Sequence, residues 1–348
     1  MKLGTGVGGW LNRVGEDAQH AEQLGYDYLT CGELSHDSML TMTVAAGSTE
    51  EIGLTTGVTI AFPRSPLVLA MEAWDLQVYS KGRFSIGLGS QVKGHNVRRF
   101  GMNWTAPAPR MKEFILMMKA IWDCWQNGTE PDFLGKHYRF NLMTPNFNPG
   151  PIEYPRPKIF LAIVGEGMAR VAGEVADGVL PHGGIMSDKY MREVLLPNIK
   201  IGLDRAGRSW EDIEIAASGY TIFGETEEEI ERGLDQMRQP LSFYGSTRSY
   251  HHVLELHGLK DLGDELHRLS LRGEWRKMRD IISLDAIREL AQTTTYDQLP
   301  KFLQEHREYA SRMGFGMPRN TPEQRERATA IMKEVQEVRT QRVPREFA

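Results

Sequence analysis

Two periodicities alternate along this chain. Apolar runs of strand length recur at residues 2–7, 26–31, 52–61, 83–89, 158–163, 177–180, 213–223 and 312–317. Between them the apolar residues return every three or four positions, the spacing that lines one face of a helix. The clearest unit spans residues 52–101. Its first strand, Ile52-Gly53-Leu54-Thr55-Thr56-Gly57-Val58-Thr59-Ile60-Ala61, leads through Ser65-Pro66 into a segment carrying Leu67, Leu69, Met71, Trp74, Leu76 and Val78 that closes at Gly82. Serine before proline marks an N-cap and a first helical position. Helical patterns also follow at 14–24, closed by Gly25, at 107–127 with Met111, Phe114, Ile115, Met118, Ile121, Trp122 and Trp125 on one face, at 187–206, after the capping box Thr226-Glu227-Glu228-Glu229, and at 296–310.

Eight strands, each followed by helical sequence, predict a (β/α)8 TIM barrel over residues 1–320. Two segments interrupt the alternation. Residues 128–157 are dense in Gly, Pro and Asn with Phe133, Tyr138, Phe140, Phe147 and Tyr154 among them. An irregular excursion of that length after the fourth β/α unit predicts a lid over the barrel mouth. Residues 243–295 read as wholly helical, an insertion before the last strand. Residues 321–348 form a tail whose charged helix runs to about Arg342, a solvated or dimer-contacting element.

In a parallel barrel the loops after the strands gather at one face, and chemistry collects there. The second strand ends in Gly32-Glu33-Leu34-Ser35-His36-Asp37, which puts Glu33 and His36 in position for acid/base work while Asp37 or Ser38 caps the next helix. The fourth strand breaks into Gly87-Leu88-Gly89-Ser90-Gln91-Val92-Lys93, followed by Arg98-Arg99-Phe100-Gly101. Turn amides beside cations suit a phosphate. This is not a Rossmann fingerprint, since the third glycine of G-x-G-x-x-G is missing. Gly165-Glu166-Gly167 is a second strand-to-helix junction able to hold a phosphate.

Composition narrows the partners. The formal net charge of −5 and the absence of a basic, aromatic-interleaved stripe argue against nucleic acid. No apolar run is long enough for a bilayer and no signal peptide opens the chain, so a cytoplasmic protein is expected. Cys31 and Cys124 lack metal-ligand spacing and read as buried free thiols, and no histidine pattern predicts a metal.

With these residues in hand, the chain resembles the luciferase-like flavin and deazaflavin oxidoreductases, and within them the coenzyme F420-dependent branch. The resemblance spans residues 1–317. It is carried by Glu33 with Asp37 behind it, Gly57-Val58-Thr59 with Ser65-Pro66, Gly82-Arg83-Phe84-Ser85-Ile86-Gly87-Leu88-Gly89 leading to Arg98-Arg99-Phe100-Gly101, and Gly173-Glu174-Val175-Ala176-Asp177-Gly178 followed by Leu180-Pro181-His182. It implies F420 at the mouth, with FMN as the alternative. It also implies a non-prolyl cis peptide at Gly57-Val58 behind the cofactor ring. The phosphate-bearing tail would lie at Gly89, Ser90 and Gln91 and at Gly165, Glu166 and Gly167, and His182 is a further expected cofactor-binding residue. Two positions depart from the family pattern: Leu34 stands where relatives often have histidine, and Val92 where many F420-dependent dehydrogenases carry an acid. The expected activity is hydride transfer between F420 and an organic, hydrophobic or bulky small-molecule substrate under the 128–157 loop, with Glu33 or His36 handling the proton and the other orienting it. An FMN-dependent monooxygenase is the competitor. A cofactor-free hydrolase or lyase built on Glu33, His36 and His182 lacks a nucleophile elbow, and a non-catalytic binding protein would hold no chromophore. The resemblance further implies a homodimer.

Overall fold

The computed structural model describes residues 1–217, 219–340 and 343–347. Eight parallel strands form the centre: β1 Lys2–Gly6, β2 Tyr28–Cys31, β3 Gly53–Thr56, β4 Phe84–Gly89, β5 Lys158–Ile163, β6 Gly178–Pro181, β7 Glu214–Ile215 and β8 Arg312–Gly314. They pair in the order β7-β6-β5-β4-β3-β2-β1-β8. A parallel bridge between Ala216 and Arg312 brings the two edges together, with Ser311 N–H donating to Ile215 O at 2.9 Å and Ala217 N–H to Arg312 O at 2.7 Å. The result is the expected TIM barrel.

Its interior is filled by pairing large side chains with absent ones. A Cβ on Gly4 would stand 2.2 Å from the Tyr28 ring, and one on Gly178 would stand 2.2 Å from Phe160. The Arg312 guanidinium lies over those two rings, 4.2 Å from the centroid of Tyr28 and 4.5 Å from that of Phe160. Stacking of this kind lets a buried cation keep a favourable electrostatic environment without a direct ion pair.

Helices pack around this centre in chain order: α1 Leu11–Gln23, α2 Ser38–Ser48, α3 Pro66–Tyr79, α4 Pro107–Asn127, α5 Glu166–Val175, α6 Leu196–Arg205, α7 Glu227–Gln236 and α8 Pro322–Glu337. The Ser65 hydroxyl accepts from Leu67 N–H and Pro66 opens α3, as the sequence predicts. Trp74 of α3 meets Trp122 and Trp125 of α4 at 6.3 and 5.7 Å. Helices α5 and α6 touch backbone to backbone, since a Cβ on Gly202 would come within 2.1 Å of Arg170 O.

Several expectations are corrected. The third strand is interrupted at Gly57-Val58 and resumes only at Thr59–Ile60. The seventh stretch is two strands, because Gly219 adopts φ +96° and turns the chain away. Its second half, Tyr220–Gly224, leaves the barrel and pairs in parallel with Ala291–Thr295. The 243–295 insertion is therefore not wholly helical. In the 187–206 stretch a π turn over Met191–Leu195 precedes α6. Pro197 has no N–H to donate and its ring crowds the carbonyl four residues back, which favours that wider turn. The Thr226 box is half made: its hydroxyl accepts from Glu229 N–H, but the Glu229 carboxylate takes Glu225 N–H.

The excursion at 128–157 runs along the outside of α4. Phe133–Leu134 and Arg139–Phe140 form a small antiparallel hairpin. Its backbone N–H groups at His137 and Tyr138 donate to Glu113, and Arg110 donates to the Tyr138 hydroxyl at 2.8 Å. The tail helix α8 packs on the barrel through Ala328, Ile331, Met332 and Val335, and the Met1 ammonium donates to Gln336 O and Val338 O. The expected end of that helix at Arg342 lies outside the described residues, as do Gln341 and Ala348.

Candidate functional site

At the end of β2 the chain commits its charges to one another. The Arg64 guanidinium reaches both oxygens of Glu33, at 2.9 and 2.5 Å, and Asp37 Oδ2 at 2.7 Å. It also donates to Ile60 O at 2.9 Å, while Ile60 N–H donates to Glu33 Oε2 at 2.6 Å. Glu33 thus ties β2 to the chain just past the break in β3, and its carboxylate accepts three hydrogen bonds spread over both oxygens. Burial alone would lower the Arg64 pKa, but the hydrogen bonds and charge of Glu33 and the charge of Asp37 hold it above the ordinary value. Asp37 also caps α2 by accepting from Leu40 N–H at 2.9 Å. A third carboxylate, Glu72, stands nearby with one buried oxygen lacking a partner among the described residues. Burial raises its pKa, with Arg64 opposing and Asp37 and Glu33 reinforcing.

His36 is placed differently. Its ring makes no hydrogen bond with a described residue and lies edge-on to Trp10 at 5.0 Å; Trp10 itself is 74% exposed. The expectation that Glu33 and His36 orient one another is corrected: Arg64 has taken Glu33, and an indole supports His36. Sequence reasoning missed Arg64, although its place in the loop between the third strand and the Ser65-Pro66 cap was a usable signal.

The expected cofactor residues ring the same mouth. The Gly57-Val58 peptide is cis. Gly89 makes room for Val58, since a Cβ there would lie 2.5 Å from Val58 Cγ2. Beyond it, Gln91 adopts φ +55° and its side chain accepts from Val92 N–H. Ser90 O accepts from the buried Asn96 amide at 2.9 Å. Of the cations after β4, Arg99 is spent on Leu34 O at 2.7 Å, which leaves Lys93 and Arg98 for a ligand. At the other junction Gly165 caps α5 without a side chain, and the N–H groups of Gly165, Glu166 and Gly167 have no acceptor among the described residues. Open amides at the start of a helix favour an anion. A Cβ on Gly6, Gly165 or Gly183 would meet nothing within 4 Å, so these loops border open space.

His182 follows β6. Gly184 N–H donates to its Nδ1 at 3.1 Å, and burial lowers its pKa. Tyr244 and Tyr250 of the 243–295 insertion lie against the imidazole, with centroids at 4.6 and 5.3 Å. The insertion, with the strand Tyr220–Gly224 paired to it, is seated on the loops after β5 and β6: the Tyr220 hydroxyl donates to Gly184 O, His257 pairs with Ser187 at 2.7 Å, and His252 approaches Val164 O at 3.4 Å. The two tyrosines were missed because nothing in their helical spacing distinguishes a mouth-facing residue from a packed one. A cavity of about 420 Å3 beside Lys119, Asp123, Tyr154 and Arg156 lies at the end of α4, apart from this mouth.

Residues 3–311 match the family described as luciferase-like monooxygenase. An uncharacterized protein of Mycobacterium tuberculosis is 42% identical over 282 residues, which is 81% of this chain and 83% of that protein. The 5,10-methylenetetrahydromethanopterin reductase of Archaeoglobus fulgidus is 27% identical over 73% of this chain and 74% of that protein. Among solved structures, the coenzyme F420 dependent tetrahydromethanopterin reductase from Methanopyrus kandleri has a TM-score of 0.73 at 20% identity, covering 96% of this chain and 98% of that chain. A long-chain alkane monooxygenase has a TM-score of 0.65 at 15% identity, covering 94% of this chain and 84% of that chain. The last two likenesses show the fold. On the match of residues 3–311, the chain belongs to the luciferase-like monooxygenase family.

Proposed function

We propose that the protein is an F420-dependent oxidoreductase that moves a hydride between the deazaflavin and a hydrophobic organic substrate. The observation that carries the reading is the pairing, at one mouth, of unclaimed amides at Gly165, Glu166 and Gly167 with a glycine-lined opening next to Val58. Those residues fit a flat ring with a phosphate-bearing tail. Gly57 and Val58 would back the ring, while Gly89, Ser90, Gln91 and the Gly165–Gly167 amides would hold the tail, with Lys93 or Arg98 adding charge. When bound, the deazaflavin supplies a two-electron hydride centre. The 27% identity to a 5,10-methylenetetrahydromethanopterin reductase, with a coenzyme F420 dependent tetrahydromethanopterin reductase sharing the fold, supports the F420 branch.

The proton role goes to His36, whose ring is unengaged, and Glu33 acts as the anchor of the β3 end through Arg64 and Ile60 N–H. The exposed Trp10 against His36, and the exposed Leu34 two positions before it, favour an apolar substrate. A homodimer would use the apolar strip of Val68, Met71, Val78 and Tyr79 on α3 with Leu40 of α2, all exposed. Two buried free cysteines suit a cytoplasmic location; among the described residues no helix is long and apolar enough to cross a membrane.

Titration of the purified protein with F420, FMN and NADP, followed by tryptophan fluorescence, tests the reading. Saturable quenching by F420 alone supports it. Preference for FMN moves the protein to the monooxygenase alternative, and no binding to any of the three ends the redox assignment.

A further inference from the structure

We propose that His182, Tyr244 and Tyr250 form a recognition wall for a neutral carbonyl oxygen, so that the site takes apolar carbonyl compounds in preference to carboxylates or phosphates. This rests on the deazaflavin reading above. The argument begins with a tautomer. Gly184 N–H donates to His182 Nδ1 at 3.1 Å, so Nδ1 is an acceptor and the ring proton resides on Nε2. Nε2–H has no acceptor among the described residues, which makes it a donor still to be used.

The insertion brings two tyrosine rings to the same place. Tyr244 lies edge-on to the imidazole at 4.6 Å and Tyr250 lies tilted at 5.3 Å. Neither hydroxyl has a hydrogen-bond partner among the described residues. The fit is specific to this loop: a Cβ on Gly184 would stand 2.3 Å from the Tyr244 ring, so the chain at this point is shaped around that tyrosine. Tyr220 pins the same residue through its carbonyl.

The wall is also uncharged. Burial holds the His182 imidazolium off and pushes the Tyr250 hydroxyl up to about 12. Of the mouth's cations, Arg64 is spent on Glu33 and Asp37 and Arg99 on Leu34 O, while Lys93 and Arg98, free among the described residues, belong to the loop after β4 and His182 follows β6. An anion against the wall would be desolvated without a counter-charge, whereas a carbonyl oxygen would take the free N–H and O–H donors.

The test uses the full chain loaded with oxidised F420, which cannot reduce a ketone, and two probes of one length: 2-heptanone labelled with 13C at the carbonyl, and heptanoate. In the wild-type protein the bound ketone carbon should resonate downfield of its position in buffer, and heptanoate should bind at least about tenfold more weakly. Replacing His182→Leu should abolish the shift and weaken ketone binding about tenfold or more, the loss of one good hydrogen bond. Y244F and Y250F keep the rings and should each reduce the shift, which protects the test if H182L does not fold. F420 binding with no downfield shift in the wild type, or with a shift and affinity that all three variants leave unchanged, overturns the wall and spares the cofactor reading. Heptanoate binding as tightly as the ketone overturns it too. Failure of F420 to bind overturns the cofactor reading, and this inference with it.

Discussion

Arg64 holds together a part of the mouth that three carboxylates would otherwise push apart. Replacing it with methionine keeps most of the stem and removes the fork. Two unit charges about 4 Å apart attract by about 4 kcal/mol at an effective dielectric near 20. Breaking a buried pair by deleting one partner costs about 3–5 kcal/mol, because the other charge is left behind. Here the Arg64 side chain is 21% exposed and that of Glu33 is 11% exposed, so water offsets part of the loss and the lower end applies. We expect R64M to lose about 3 kcal/mol in urea unfolding at pH 7. E33Q keeps the shape and one acceptor and should lose about 2 kcal/mol.

The double variant distinguishes an ion pair from two unrelated residues. Once Glu33 is neutral, removing Arg64 no longer strands Glu33 and leaves only Asp37 without its direct ion-pair partner, so the combined loss should fall short of the sum by at least about 1.5 kcal/mol. A loss under about 1 kcal/mol for R64M, or additivity to within about 0.5 kcal/mol, would refute the reasoning. The first result would mean that the fork contributes nothing net, as many surface pairs do. The second would mean that Arg64 and Glu33 stabilise the β3 end separately.

His36→Ala should lower turnover by about 100-fold or more and flatten its pH profile while F420 affinity stays within about twofold, whereas E33Q should keep the wild-type pH profile; a flattened profile in E33Q instead would return the proton role to the carboxylate. Glu72 has a pKa raised by burial, so its contribution is full below its ordinary value and fades as pH rises through the folded value; E72Q should therefore gain about 1 kcal/mol at pH 7 and nothing at pH 4, and an equal gain at both pH values by thermal melting would disprove this. Asp177 runs the other way. Burial would raise it, but the Arg156 fork, with Lys119 adding charge, lowers its pKa to about 2 from 3.8. The stability it supplies is present above the ordinary value and is lost as pH falls through about 2, so D177N should cost about 2 kcal/mol at pH 7 with a gap that narrows in acid. Gly202→Ala should be severe, about 3 kcal/mol or a failure to fold, because the added carbon meets the Arg170 carbonyl at 2.1 Å and backbone cannot rotate aside; a melting point within about 2 °C of the wild type would show that α5 and α6 can part.

The barrel was legible because its signals are local. Ser65-Pro66 needs no tertiary context to cap α3, and Met111 through Trp125 mark a buried helical face by spacing alone. The misread seventh strand failed for the opposite reason. Residues 213–223 look continuous, and only a positive φ at Gly219 separates the barrel strand from Tyr220–Gly224. The partner of that second strand, Ala291–Thr295, is polar, is flanked by helical sequence, and lies some seventy residues away; no apolar period announces it.

The site divides along the same line. Loop glycines and the β2 acid could be placed from sequence, since strand ends define the mouth. What they do there depends on partners that sequence does not pair. Glu33 looks like a free acid until Arg64, thirty-one positions on, takes both its oxygens. His182 reads from sequence as a cofactor residue, until Gly184 fixes its tautomer and Tyr244 arrives from the insertion. In both cases the sequence supplies the titratable group, and the fold decides which of its atoms remain available. The mouth's chemistry therefore turns on the donors and acceptors left over after the framework has taken its share. By that count His36 and His182 Nε2–H remain available, and Glu33 does not.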